Sequence, residues 1–201
     1  MEATKILLSE EELKLVQDTH FLLTKNRIIE KTKQLFGDLA DILRKDVEAA
    51  GLRLPEAVHL FSPKVFKGEY YNQLPYVMLD YPRVFAKDDV LAMRTMFWWG
   101  NFFSVTLQLK GYYQQLFAPA LLANKKMLVM QGFHVSVSGD EWRHDFAPEN
   151  YVPVQTDGNN LEKAVEGEYL KIAVRVPLAD WNNAPELISG HQRSIIRLLA
   201  G

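Results

Sequence analysis

The densest group of residues able to move a proton is HVSVSGDEWRHD, residues 134–145. With Gly139-Asp140 as a two-residue turn, His134 faces Asp145; a three-residue loop sets it opposite His144 instead. Either arrangement puts an imidazole and a carboxylate on one sheet face, with Ser136 close by. A carboxylate beside a histidine holds its tautomer and raises its basicity, as general-base work requires. His134, His144 and Asp145, with Ser136 as a conceivable nucleophile, would suit a small hydrolase or isomerase. An ordinary cross-strand contact on a polar face explains the same pair without any chemistry.

The remaining histidines carry less. His20 and His191 lie on apolar helical stripes and His59 sits in a connector. There is no Gly-rich phosphate loop, no G-x-S-x-G elbow, no H-E-x-x-H and no Cys/His metal spacing, so no metal ligand set is assigned and no cofactor is identified. Tyr70, Tyr71, Tyr76, Tyr81, Tyr112 and Tyr113, with Arg83 and Arg94, could wall a small-molecule pocket, since such pockets are aromatic with a few polar groups. Of these, Tyr76, Tyr81 and Arg94 are taken as candidate contacts. Core aromatics with surface hydroxyls explain the same residues.

The stretch that must position these groups is Tyr70–Gly111. Two runs, Ala92–Trp99 and Phe102–Lys110, flank Gly100-Asn101, where Gly suits a two-residue II′ turn. That turn pairs Trp99 with Phe102 and Trp98 with Phe103. One face then carries Met96, Trp98, Phe103, Val105, Leu107 and Leu109, and the other Met93, Phe97, Trp99 and Phe102 among polar residues. Large apolar side chains on the second face must be covered, by helices of the same chain, a second chain or a ligand. Phe97, Trp99 and Phe102 are therefore candidate partner or ligand contacts.

Around this hairpin, Ser9 and Glu12 form a capping box ahead of a helix over 10–25. A second helical pattern runs over 26–50, ending at Gly51. Strands are expected at 65–66 and 76–81, with Pro75 and Pro82 confining them to strand starts or an edge. Asp88-Asp89 should cap a helical turn before Ala92. A helix follows over 112–126, either kinked at Pro119 or shortened to a start near Phe117, then strands at 133–138 and 141–146 as a second hairpin, a loop over 147–160, a strand over 169–176 and a helix over 184–200. Helices, then strands, then a helix favour an α+β fold. The expected form is one domain, 1–201: a twisted, mostly antiparallel sheet of five to seven strands from 64–178, with the helical segment 1–51 and the C-terminal helix 183–201 packed on it.

A chain of 201 residues with a hydrophobic share of 48% needs neither disulfide nor metal to fold. The absence of cysteine excludes a thiolate site and suits a reducing cytoplasm. A net charge of −2 gives no electrostatic footprint for nucleic acid or an anionic membrane. The start, MEATKILLSEEEL, lacks the basic and apolar regions of a signal peptide. LPYVMLDYPRVF and MRTMFWWGNFFSVTLQLKG, with TKNRIIEKTKQLFG upstream, resemble a family of small uncharacterised bacterial proteins. That resemblance implies a bacterial cytoplasmic setting and supplies no activity, cofactor or site residue. The preferred function is a soluble, non-enzymatic binding or assembly module. Its aromatic sheet face would meet a protein partner, a second copy or a small apolar ligand; the hydrolase or isomerase at 134–145 is the alternative.

Overall fold

The computed structural model describes residues 6–201. Ser9 and Glu12 make the expected capping box: Ser9 Oγ accepts from the Glu12 N–H at 3.2 Å, and the Glu12 carboxylate accepts from the Ser9 N–H at 2.7 Å. The helix they start, α1 (Glu10–Gln17), stops well short of residue 25. Asp18 interrupts it, because its carboxylate accepts from the Phe21 N–H at 3.0 Å and starts a new helix. That helix, α2 (Thr19–Ala50), runs through the boundary expected at residues 25–26. Ile29, Phe36, Leu39, Leu43 and Val47 form its buried stripe, and Gly51 ends it at φ 56°.

The rest of the chain forms one seven-stranded antiparallel sheet of β1 (Lys64–Tyr71), β2 (Leu74–Phe85), β3 (Val90–Trp98), β4 (Phe102–Lys110), β5 (His134–Ser136), β6 (Tyr151–Pro153) and β7 (Tyr169–Pro177). The strand order is β1-β2-β3-β4-β7-β5-β6. Helices α3 (Tyr112–Ala123), α4 (Lys125–Met130), α5 (Asn160–Val165) and α6 (Ala184–Ala200) complete an α+β architecture.

The central hairpin forms, one residue out of the expected register. Trp98 pairs with Phe102, Phe97 with Phe103 and Thr95 with Val105. The Asn101 N–H bonds the Trp98 carbonyl at 3.0 Å, with Gly100 at φ 72°. Gly100 therefore takes the third position of a four-residue turn, where positive φ is required. The loop has three residues, and the slip exchanges the side chains between faces on one strand. Phe97 shares its face with Phe103, Val105 and Leu107 against the helices, while Phe102 joins Trp98, Met96 and Met78 on the other. Phe97, Trp99 and Phe102 thus do not form one surface. Phe97 is 2% exposed and T-shaped against Trp181 at 5.9 Å, and Phe102 is 9% exposed beneath Phe146 at 5.1 Å.

Two further expectations change. Pro75 stands at the start of β2 as expected, but Pro82 lies inside this interior strand, where a register shift between Asp80 and Arg83 leaves it out of the ladder. Asp89 caps no turn before Ala92; its carboxylate accepts from the Tyr112 N–H at 2.7 Å and starts α3 instead.

Helices α2, α3 and α6 cover one sheet face. The other face is covered over β3, β4 and β7 by residues 137–150, of which 141–146 were expected to return as a strand. β5 pairs with β6, His134 opposite Pro153 and Ser136 opposite Tyr151. Residues 137–150 form a compact loop closed at its base by the Val137 N–H to the Asn150 carbonyl at 2.8 Å.

Candidate functional site

The register places an unusual row of side chains on the loop-covered face. Asp80, Arg94 and Thr106 are neighbours across β2, β3 and β4, and Gln108 lies beside Lys171 across β4 and β7. Met78, Met96 and Trp98 continue that face toward the hairpin tip. Charge is buried here. Arg94 binds Asp80 through two hydrogen bonds of 3.0 and 3.3 Å, and its guanidinium lies over the Phe85 ring at 5.1 Å and the Trp142 ring at 5.4 Å.

The loop is fastened to this row by long-range bonds. Lys171 Nζ donates to the carbonyls of Glu141 at 2.8 Å and Arg143 at 2.5 Å. The Glu141 carboxylate accepts from Gln108 at 2.8 Å and Lys110 at 3.0 Å. At the end of β1, Tyr71 Oη accepts from the His144 N–H at 2.6 Å and the Asp145 N–H at 3.2 Å. Asn150 donates to the Asp145 carbonyl from the other side.

Between loop and sheet lies a partly enclosed cavity of about 150 Å³, walled by Phe66, Tyr71, Tyr76, Met78, Met96 and Trp142, with Arg94 and His144 as its polar groups. His144 is 7% exposed, and among the described residues no group hydrogen-bonds its ring nitrogens. Burial, reinforced by the Lys171 and Arg94 cations, holds its pKa well below the ordinary imidazole range, so the ring is neutral at pH 7. A neutral imidazole offers one N–H donor and one nitrogen acceptor. Burial also lowers the Lys171 ammonium to about 7, with Arg94 adding to the effect.

The residues of 134–145 are not brought together as a catalytic set. His134 Nδ1 lies 3.0 Å from the Gly132 carbonyl, and its ring packs on Phe146 at 5.2 Å. Ser136 Oγ shares a 3.1 Å bond with Tyr169 Oη, leaving no imidazole as its base. Burial pushes the Asp145 carboxyl up, but two bonds from Arg143, of 3.1 and 2.8 Å, bring it below its usual range. His144 takes part through the cavity instead. Tyr76 and Arg94 line it as well, whereas Tyr81 is buried among the helices and Trp99 packs edge-on against Phe97 at 6.1 Å.

A larger groove of about 540 Å³ runs past Ser136, Ser138, Lys163 and Tyr169. Its hydroxyls already bond one another or the backbone. The 150 Å³ cavity is the stronger candidate because it combines aromatic walls with an unpaired buried polar group.

Sequence reasoning missed Lys171 and Trp142 as candidate site residues, and it had Tyr71 only as one of six tyrosines that could wall a pocket. Lys171 had a visible signal, as one of two long cations, with Arg175, that face opposite Leu170, Ile172 and Val174 in an otherwise largely apolar strand. The roles of Tyr71 and Trp142 depend on contacts distant in the chain, such as that from Tyr71 to His144, 73 residues apart, and that of Trp142 with Arg94.

Among the described residues, no helix is long and apolar enough to cross a membrane, and no three His, Asp or Glu side chains are grouped to hold a metal ion. No family model matches the chain, and neither the curated proteins nor the solved structures contain a match to it.

Proposed function

We propose that the protein is a soluble, non-enzymatic binding module of the cytoplasm that holds a compact aromatic molecule between the 137–150 loop and the sheet. The observation that carries this is the neutral, unpaired His144 imidazole lining a cavity otherwise walled by aromatic and methionine side chains. A cavity of about 150 Å³ accommodates one benzene-sized ring. A hydroxyl on that ring gives His144 a hydrogen-bond partner, which selects a phenol-like ligand over a purely apolar one. The cysteine-free sequence supports the compartment.

Titration calorimetry with phenol tests this. A ligand of seven heavy atoms filling the cavity should bind with Kd of about 10 μM to 1 mM. His144→Phe should weaken phenol by about tenfold, matching one hydrogen bond, and spare toluene. Undetectable phenol binding at 10 mM, or equal phenol affinity in the variant, would refute the assignment.

A further inference from the structure

Apart from the cavity, the most unusual feature is the arm formed by residues 6–23. Nine large apolar residues between Ile6 and Leu23 are 49–93% exposed, and α1 has no buried residue at all. The cause lies in α2. Its buried stripe starts at Ile29, so its first turns overhang the sheet, and Leu22, one heptad earlier on the same stripe, stays 54% exposed among the described residues. The body of the protein first meets the arm where Lys25 bonds Glu69 of β1 at 2.7 Å.

We infer that this arm pairs with the arm of a second copy of the chain, forming a two-fold symmetric dimer. Two observations choose that occupant. The first is area. Full burial of a large apolar side chain removes about 60–120 Å² from water, so the exposed portions of these nine offer about 330–670 Å² per chain. A standard interface buries about 800 Å² per partner, somewhat over half of it apolar, and the arm supplies that share.

The second is charge. The tip of the arm carries Glu10, Glu11 and Glu12, and its base carries Lys25, Arg27 and Lys31. Arg27 donates only to Thr24, at 2.7 Å, and Lys31 is exposed with no carboxylate partner among the described residues. A two-fold axis perpendicular to the arms runs them in opposite senses, and that arrangement sets the acidic tip of each toward the basic base of the other. The same three glutamates disfavour an anionic lipid surface as the occupant.

Sedimentation velocity over 1–100 μM tests the inference. The expected result is a monomer–dimer equilibrium that Val16→Asp and Leu22→Asp each weaken by about thirtyfold or more, as substitution of a buried interface anchor does. Leu52→Asp, at a fully exposed site away from the arm, should leave it unchanged. Glu11→Lys should weaken the dimer, and adding Arg27→Glu should restore part of the loss. A monomer at 100 μM would overturn the inference, as would a dimer indifferent to both arm substitutions. Flotation with neutral or anionic phospholipid vesicles, lost in Val16→Asp, would overturn it in favour of a lipid surface.

Discussion

Tyr71→Phe removes one oxygen and isolates the structural half of the account. Tyr71 Oη is the acceptor for two successive loop amides, His144 at 2.6 Å and Asp145 at 3.2 Å, in a part-buried position. The ring stays, so its edge contacts with Trp98 at 5.2 Å and His144 at 5.4 Å are kept. Each amide left without a partner costs about 1–3 kcal/mol, and partial access to water puts the pair near the low end, about 2–4 kcal/mol together. For a domain of this size each kcal/mol lowers Tm by about 2–4 °C, so the expected fall is about 5–15 °C. Calorimetry reads the total, and amide hydrogen exchange locates it. His144 and Asp145 should lose protection first, while β3 and β4 keep theirs until global unfolding. A fall below 2 °C with both amides equally protected would refute the view that Tyr71 fastens the loop.

Two other perturbations follow from the same geometry. Lys171 has a folded-state pKa of about 7 against an unfolded value near 10.5, so the unfolded chain binds the extra proton between those limits. Stability should therefore rise as pH goes from about 7 toward 9.5, by a few kcal/mol at most; the urea midpoint should climb over that range, and Lys171→Met should flatten the climb. Asp89→Ala removes the acceptor for the Tyr112 N–H at the start of α3 and should cost about 1 kcal/mol, read as a lower urea midpoint with an unchanged slope.

Local signals carried the elements they govern. The Ser9/Glu12 box, the alternation of Leu170, Ile172, Val174 and Val176, and Pro185 in the first turn of α6 each act within a few residues, and each appears where the sequence placed it. The seven-stranded antiparallel sheet with terminal helices follows from the same patterning. What sequence reading missed depends on competition between near-equal local choices. Gly100 permits either a two-residue II′ turn or the observed three-residue loop, and the face assigned to Phe102 turns on which one forms. Asp18 reads as one more polar residue on a helix until its side chain caps a new one.

The Gly139-Asp140 pair is a third case. Asp140 bonds the Trp142 N–H at 2.9 Å in a local turn, and the chain beyond it is drawn onto the sheet by Tyr71 and Lys171 rather than onto β5. This is why His144 stood out in the sequence and its surroundings did not. Its partners come from β1 and β7, at opposite sides of the central hairpin.

The most direct test of the aromatic pocket uses the methyl groups that wall it. Of the six methionines, Met78 and Met96 line the cavity, and Met130 is exposed far from it in the chain. Carbon-13 methyl spectra titrated with phenol should show saturable shifts of Met78 and Met96 with one common Kd, and a still Met130. Equal, unsaturated drift of all six methyls, or none at Met78 and Met96, would contradict the site.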